Sequence, residues 1–94
     1  MMKILAVCGF GVGSSMVLKM SIEKVVKELG MKVTVENTDL STAKATPADV
    51  YFTSNELLSE LKGAVKAPVY PIKKYMDVAE IREQMEKYLN EREG

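Results

Sequence analysis

The spacing of apolar residues along this chain changes from one segment to the next, and each change marks an element. Lys3 to Val7 is a short apolar run, read as a buried strand. From about Ser15 to Leu29 the spacing is helical. Leu18, Ile22, Val25, Val26 and Leu29 share one face, and Lys19, Glu23, Lys24, Lys27 and Glu28 take the other. Gly30 supplies a stop, because glycine accepts the positive φ that ends helices. Val33 and Val35 alternate with polar neighbours in a second strand, Lys32 to Glu36. Asn37 to Pro47 is polar and small, and reads as a loop with one helical turn near Ser41 to Lys44. Val50, Tyr51 and Phe52 form a third, β-rich run. Thr53-Ser54-Asn55-Glu56 has the form of a capping box opening a short helix, which Gly63 ends. Val69 to Ile72 is a fourth strand. Its Pro71 cannot donate to a ladder, which places it at a sheet edge. Asp77 with Glu80 caps a last helix, whose Val78, Ile81, Met85, Tyr88 and Leu89 form the core stripe. Asn90 to Gly94 is expected to fray.

Strands alternating with helices favour a parallel sheet with helices on both faces. The expected fold is α/β, with four parallel strands in the order 2-1-3-4. This is a Rossmann-like arrangement, also that of low-molecular-mass phosphatases. The chain reverses direction across the sheet between strands one and three, and ligands bind such folds at the carboxyl ends of the strands there.

Composition narrows the setting. The 94 residues suit one domain, taken as 1–94, and 47% are apolar, enough for one core. Thirteen basic and thirteen acidic side chains cancel, so no field favours nucleic acid or an anionic membrane. One cysteine cannot form an internal disulfide. The first strand is too short for a signal peptide, and no apolar run reaches membrane-spanning length. The expectation is a cytoplasmic domain without membrane insertion, associated with a membrane only through a partner. No metal and no cofactor are expected.

Candidate chemistry lies in one run, Cys8-Gly9-Phe10-Gly11-Val12-Gly13-Ser14-Ser15. It joins the first strand to the first helix and places the only cysteine at their junction, in a chain with no histidine. N–H groups of such a turn can hold a tetrahedral anion, and the helix N-terminus after Ser14 favours a thiolate, a nucleophile for phosphorus. Four readings stand side by side. A nucleotide loop would need a lysine before the hydroxyl residue, where Gly13 stands, or a Gly-x-Gly-x-x-Gly spacing, where this run has Gly9-x-Gly11-x-Gly13. A cysteine phosphatase or arsenate reductase would carry arginine after five intervening residues, where Ser14 stands. The cysteine could be a small core hydrophobe and the glycines a tight turn. The fourth reading is a phosphocarrier, which gains from the missing arginine because it must not release its phosphate to water.

Val7-Cys8-Gly9-Phe10-Gly11-Val12-Gly13-Ser14-Ser15-Met16, followed by Lys19-Met20, resembles the active-site loop of the enzyme IIB component of the bacterial phosphoenolpyruvate-dependent sugar phosphotransferase system. The similarity is greatest to the ascorbate-type branch, covers about the first thirty residues, and shows no departure within the loop. It implies that Cys8 takes a phosphoryl group from a phosphohistidine on enzyme IIA. Cys8 then passes the group to a sugar, L-ascorbate in that branch, held by the membrane component enzyme IIC. Gly9, Phe10, Gly11, Val12, Gly13, Ser14 and Ser15 would hold the phosphoryl oxygens. Phe10 and Val12 at the loop tip, with Met16 and Met20 off the core stripe, form a candidate partner surface. Lys19, Lys73 and Lys74 could add positive potential. The comparison with phosphatases makes one prediction: Ser14→Arg should speed loss of phosphate to water or block its acceptance, measured as phosphate released per labelled protein.

Overall fold

The computed structural model describes residues 2–9 and 11–93, without the side chains of 11–14 and 93. Four strands, β1 (Met2–Cys8), β2 (Val33–Asp39), β3 (Val50–Thr53) and β4 (Val69–Pro71), form one sheet in the order β2-β1-β3-β4. Every pairing is parallel, as the alternation of elements required. The helices α1 (Gly11–Glu28), α2 (Leu40–Ala45), α3 (Asn55–Ala64) and α4 (Val78–Glu93) connect and follow the strands.

Side chains alternate across the sheet, and each set meets its own helices. Ile4, Ala6, Cys8 and Phe52 pack with Leu18, Ile22, Val25 and Val26 of α1 and Ile81, Met85 and Tyr88 of α4. Leu5, Val7, Tyr51 and Val69 pack on the opposite face with Ala43 of α2 and Leu61 of α3. An aromatic row crosses the first layer. Phe52 and Tyr70 lie 5.9 Å apart, and Tyr70 meets Tyr88 edge-on at 6.0 Å.

Pro71 stands on the edge strand β4, paired with Thr53. The ladder bond it cannot donate is supplied one residue later, by Ile72 N–H to Thr53 O at 2.8 Å. Gly30 has φ +68° and ends α1 as expected. Gly30 N–H reaches Lys27 O at 3.2 Å, and Met31 N–H reaches Val26 O at 2.9 Å. This pair of bonds closes the last turn of a helix over a left-handed residue.

Several boundaries differ from the expectation, each for a tertiary reason. Helix α1 begins at Gly11 and not near Ser15. The first turn of any helix leaves its N–H groups unbonded, and the packing of Leu18 and Ile22 outweighs the poor helix propensity of the glycines. Strand β2 continues to Asp39 because β1 beside it continues to Cys8, and the two pair to the end. The expected loop from Asn37 is thus strand and then helix, with Asp39 Oδ1 accepting Thr42 N–H at 2.7 Å as the cap of α2. Thr53 does not cap α3. Its hydroxyl is buried and donates to Val7 O at 2.8 Å, while Ser54 takes the cap position without a side-chain bond. Gly63 lies inside α3, which ends at Ala64. Asp77 Oδ1 accepts Glu80 N–H at 3.1 Å, but the reciprocal half of that box is absent. The Glu80 carboxylate accepts Lys73 N–H at 2.7 Å and Lys74 N–H at 3.0 Å instead. Helix α4 stays regular through Glu93, with Tyr70 donating to the Glu91 carboxylate.

Two predictions follow from these contacts. Gly30→Ala should destabilise the fold by about 1 kcal/mol, because a Cβ is strained at positive φ. Gly63→Ala, whose added Cβ meets nothing within 4 Å, should stabilise it by about 0.5 kcal/mol. Urea midpoints read both signs. Second, burial holds the Tyr51, Tyr70 and Tyr88 hydroxyls above the ordinary tyrosine value of 10.0. Unfolded tyrosines ionise first, so their stabilising effect is complete below pH 10.0 and is lost as pH rises through the raised folded values. The urea midpoint should therefore fall progressively above that pH.

Candidate functional site

The parallel registers bring the strand ends together. Cys8 is level with Asp39, Val7 with Thr53, and Thr53 with Pro71. The carboxyl end of β1 thus lies between its neighbours, next to the start of α1 and the start of α3. A cavity of about 340 Å³ opens there. It is lined by Cys8 and Gly9, by Ser54 to Leu57 at the start of α3, and by Ile72, Lys73 and Tyr75 after β4.

Cys8 is a free thiol, only 3% exposed, and joins the α1–α4 core layer. Burial pushes its pKa up, and a hydrogen bond from Tyr75 pulls it partly back. Burial thus opposes the thiolate that a helix N-terminus would favour. Tyr75 is pushed up to about 12 by burial first, then by its bond to Cys8 and the charges of Cys8 and Glu56, against a bond from Ser54.

Gly9 bends between β1 and α1 beside α3. A Cβ added there would meet Leu57 Cδ1 at 3.4 Å, ordinary contact, so neither space nor backbone demands glycine at this position. Phe10 lies outside the described residues, as do the side chains of Gly11, Val12, Gly13 and Ser14. Their backbone forms the first turn of α1. The expected loop is therefore short, and the N–H groups available to an anion are those of a helix start. Ser15 is 2% exposed, and its hydroxyl oxygen accepts Asn37 Nδ2–H at 3.1 Å, which ties α1 to β2.

Of the other residues singled out, Lys73 lines the cavity. Lys74 lines a neighbouring hollow with Asp77, Glu80, Glu83 and Gln84. Asp39 turns its carboxylate into the α2 cap, where the Thr42 N–H holds its pKa down. Met16 and Met20 are 48% and 55% exposed, one turn apart on α1. Tyr75 and Asn37 escaped sequence reasoning because no motif encloses them, and Ser54 stood there only as part of a capping box. Met76, 79% exposed and next to Tyr75, also went unnoticed, although its place between two turn-forming positions outside any apolar stripe was a usable signal.

Among the described residues, no helix is long and apolar enough to cross a membrane. The family described as PTS system, Lactose/Cellobiose specific IIB subunit matches residues 3–87. The ascorbate-specific PTS system EIIB component of Mycoplasma pneumoniae is 36% identical over 88 residues, covering 92% of this chain and 93% of that protein. The solved lactose-specific IIB component domain of Streptococcus pneumoniae superposes with a TM-score of 0.65 at 14% identity, covering 95% of each chain. The solution structure of an Enzyme IIB subunit of the PTS system from Escherichia coli K12 gives 0.55 at 18% identity, covering 98% of this chain and 95% of that one. At these identities the two structures speak for the fold alone. With the family match spanning most of the sequence, the chain belongs to the IIB subunits of the phosphotransferase system, a family of phosphotransferases.

Proposed function

We propose that residues 1–94 act as one phosphocarrier domain in which Cys8 Sγ carries the phosphoryl group. The observation that carries this reading is the position of that sulfur. It lies at the carboxyl end of β1, in a cavity beside the start of α1, with Tyr75 and Lys73 in the wall. The donor is a phosphohistidine of enzyme IIA, since this chain has no histidine. In the first step the sulfur attacks phosphorus, the P–N bond breaks, and the thiol proton passes to the leaving imidazole nitrogen. A neutral resting thiol suits this exchange, because the strongly basic leaving nitrogen needs a proton. In the second step a sugar hydroxyl attacks phosphorus, the S–P bond breaks, and the hydroxyl proton returns to sulfur. Both are in-line displacements that depend on positioning and on donors to the phosphoryl oxygens.

Backbone N–H groups between Gly9 and Ser15 supply those donors, and Ser14 contributes a hydroxyl to the same task. Ser15 supports the start of α1 from inside through Asn37. The sugar is L-ascorbate, presented by the membrane enzyme IIC, and the protein works at the cytoplasmic face of that transporter. The 36% identical relative named as ascorbate-specific supports this choice of branch. Phe10, Val12, Met16 and Met20 form the surface that meets IIA and IIC in turn; the exposed thioethers adapt to two partners.

The test is intact mass with peptide mapping after incubation with phosphoenolpyruvate, the general phosphotransferase proteins and an ascorbate-type IIA. One acid-sensitive phosphoryl group should appear on the Cys8 peptide, depend on IIA, and be absent from Cys8→Ser. A serine variant that still relays phosphate to sugar would sink the assignment. Labelling only by a galactitol-type or mannitol-type donor would keep the carrier and change the sugar.

A further inference from the structure

We propose that Asn37 is a positioning residue of this carrier: its side-chain amide holds the Ser15 hydroxyl, and that bond sets the opening turn of α1 where its N–H groups meet the phosphoryl oxygens on Cys8. The proposal deepens the phosphocarrier reading and rests on it. It starts from a break in two apolar stripes. On β2, Val33, Val35 and Asn37 fall on one face, and both valines pack into the α1–α4 core layer. On α1, Ser15, Leu18 and Ile22 share the inward face, and Leu18 and Ile22 are fully buried in the same layer. Each stripe thus turns polar toward the carboxyl edge of the sheet. The two polar residues meet: Asn37 Nδ2–H donates to Ser15 Oγ at 3.1 Å, and Ser15 is 2% exposed. An apolar pair would fill the same place with no polar groups to satisfy.

The bond ties together the two halves of the site. Asn37 is level with Ala6 in the parallel ladder, which runs on to the pairing of Cys8 with Asp39. Its backbone is therefore locked to the strand that carries the sulfur, while its side chain grips the helix that follows. The turn just before Ser15 needs such a hold. It contains Gly11 and Gly13, and glycine has more backbone freedom than any other residue and favours helix weakly. The first N–H groups of a helix have no partner within it and are the ones free to bind an anion. In-line transfer depends on donors already in place when charge develops on the phosphoryl oxygens. A turn left to drift would still meet a partner protein but would stabilise that charge less well.

Three variants of the full chain test this: Ser15→Ala, Asn37→Leu and the two together. Leucine is close to asparagine in size, and the paired variant leaves neither polar group of this bond behind. Circular dichroism and urea midpoints read the fold. Acceptance of phosphate from phosphorylated IIA in single turnover reads the chemistry. The paired variant should keep a urea midpoint at or above that of the wild type, while its limiting rate falls about tenfold. The IIA concentration giving half that rate should stay unchanged, because the partner surface is untouched. Each single variant should lose about as much rate as the pair, since all three remove one bond. Losses that multiply in the pair would mean two independent effects and overturn the proposal. A stable paired variant with the wild-type rate overturns it too, as does a change confined to the half-rate concentration. Should leucine disturb the fold, Ser15→Ala decides: a comparably slowed limiting rate with a native spectrum supports the proposal, and an unchanged rate overturns it. The carrier reading is judged separately, by phosphate on wild-type Cys8; without that label both fall.

Discussion

The buried bond from the Thr53 hydroxyl to Val7 O fixes the peptide immediately before Cys8. The same residue takes Ile72 N–H on its backbone oxygen, so β1, β3 and the exit from β4 are joined at one level. A fully buried hydroxyl without a partner would cost about 1–3 kcal/mol, which makes this crosslink sensitive to any slip of register. Because the strands are parallel, such a slip would move the whole carboxyl edge. The sulfur, the start of α3 and the segment bearing Tyr75 hold their mutual positions through this arrangement.

A tension is built into the position of Cys8. The start of α1 would stabilise an anion, and the core layer beneath would oppose one. At the bare sulfur burial raises the pKa and so favours the neutral thiol. A phosphoryl group would extend its charge away from the core, toward the helix start and the cavity. The same site can therefore disfavour a free thiolate and still accommodate a charged adduct.

What was legible in the sequence was local or periodic. Alternating elements gave the parallel sheet and its order, Pro71 gave the edge, and Gly30 gave the end of α1. Cys8 was visible because its residue type and its place at a strand-to-helix junction both stand out. The failures share a cause. Thr53 and Glu80 fit local capping patterns, but each takes a different role: a bond across the sheet and a clip on another loop. Short polar side chains satisfy either geometry, and only the packed fold decides between them. Tyr75 was hidden for a related reason. It lies far from Cys8 in sequence, and the two meet only because β4 joins the sheet on the far side of β3.

The burial of a solitary thiol also bears on oxidative chemistry. With no second cysteine in the sequence, a sulfenic acid formed at Cys8 has no internal partner with which to close a disulfide. Its repair depends on a thiol from another molecule, which must reach a sulfur that the fold nearly covers. The best protection is slow entry into that state, and a neutral, shielded thiol reacts slowly with peroxides. The cover that raises the pKa of the thiol thus also preserves it chemically.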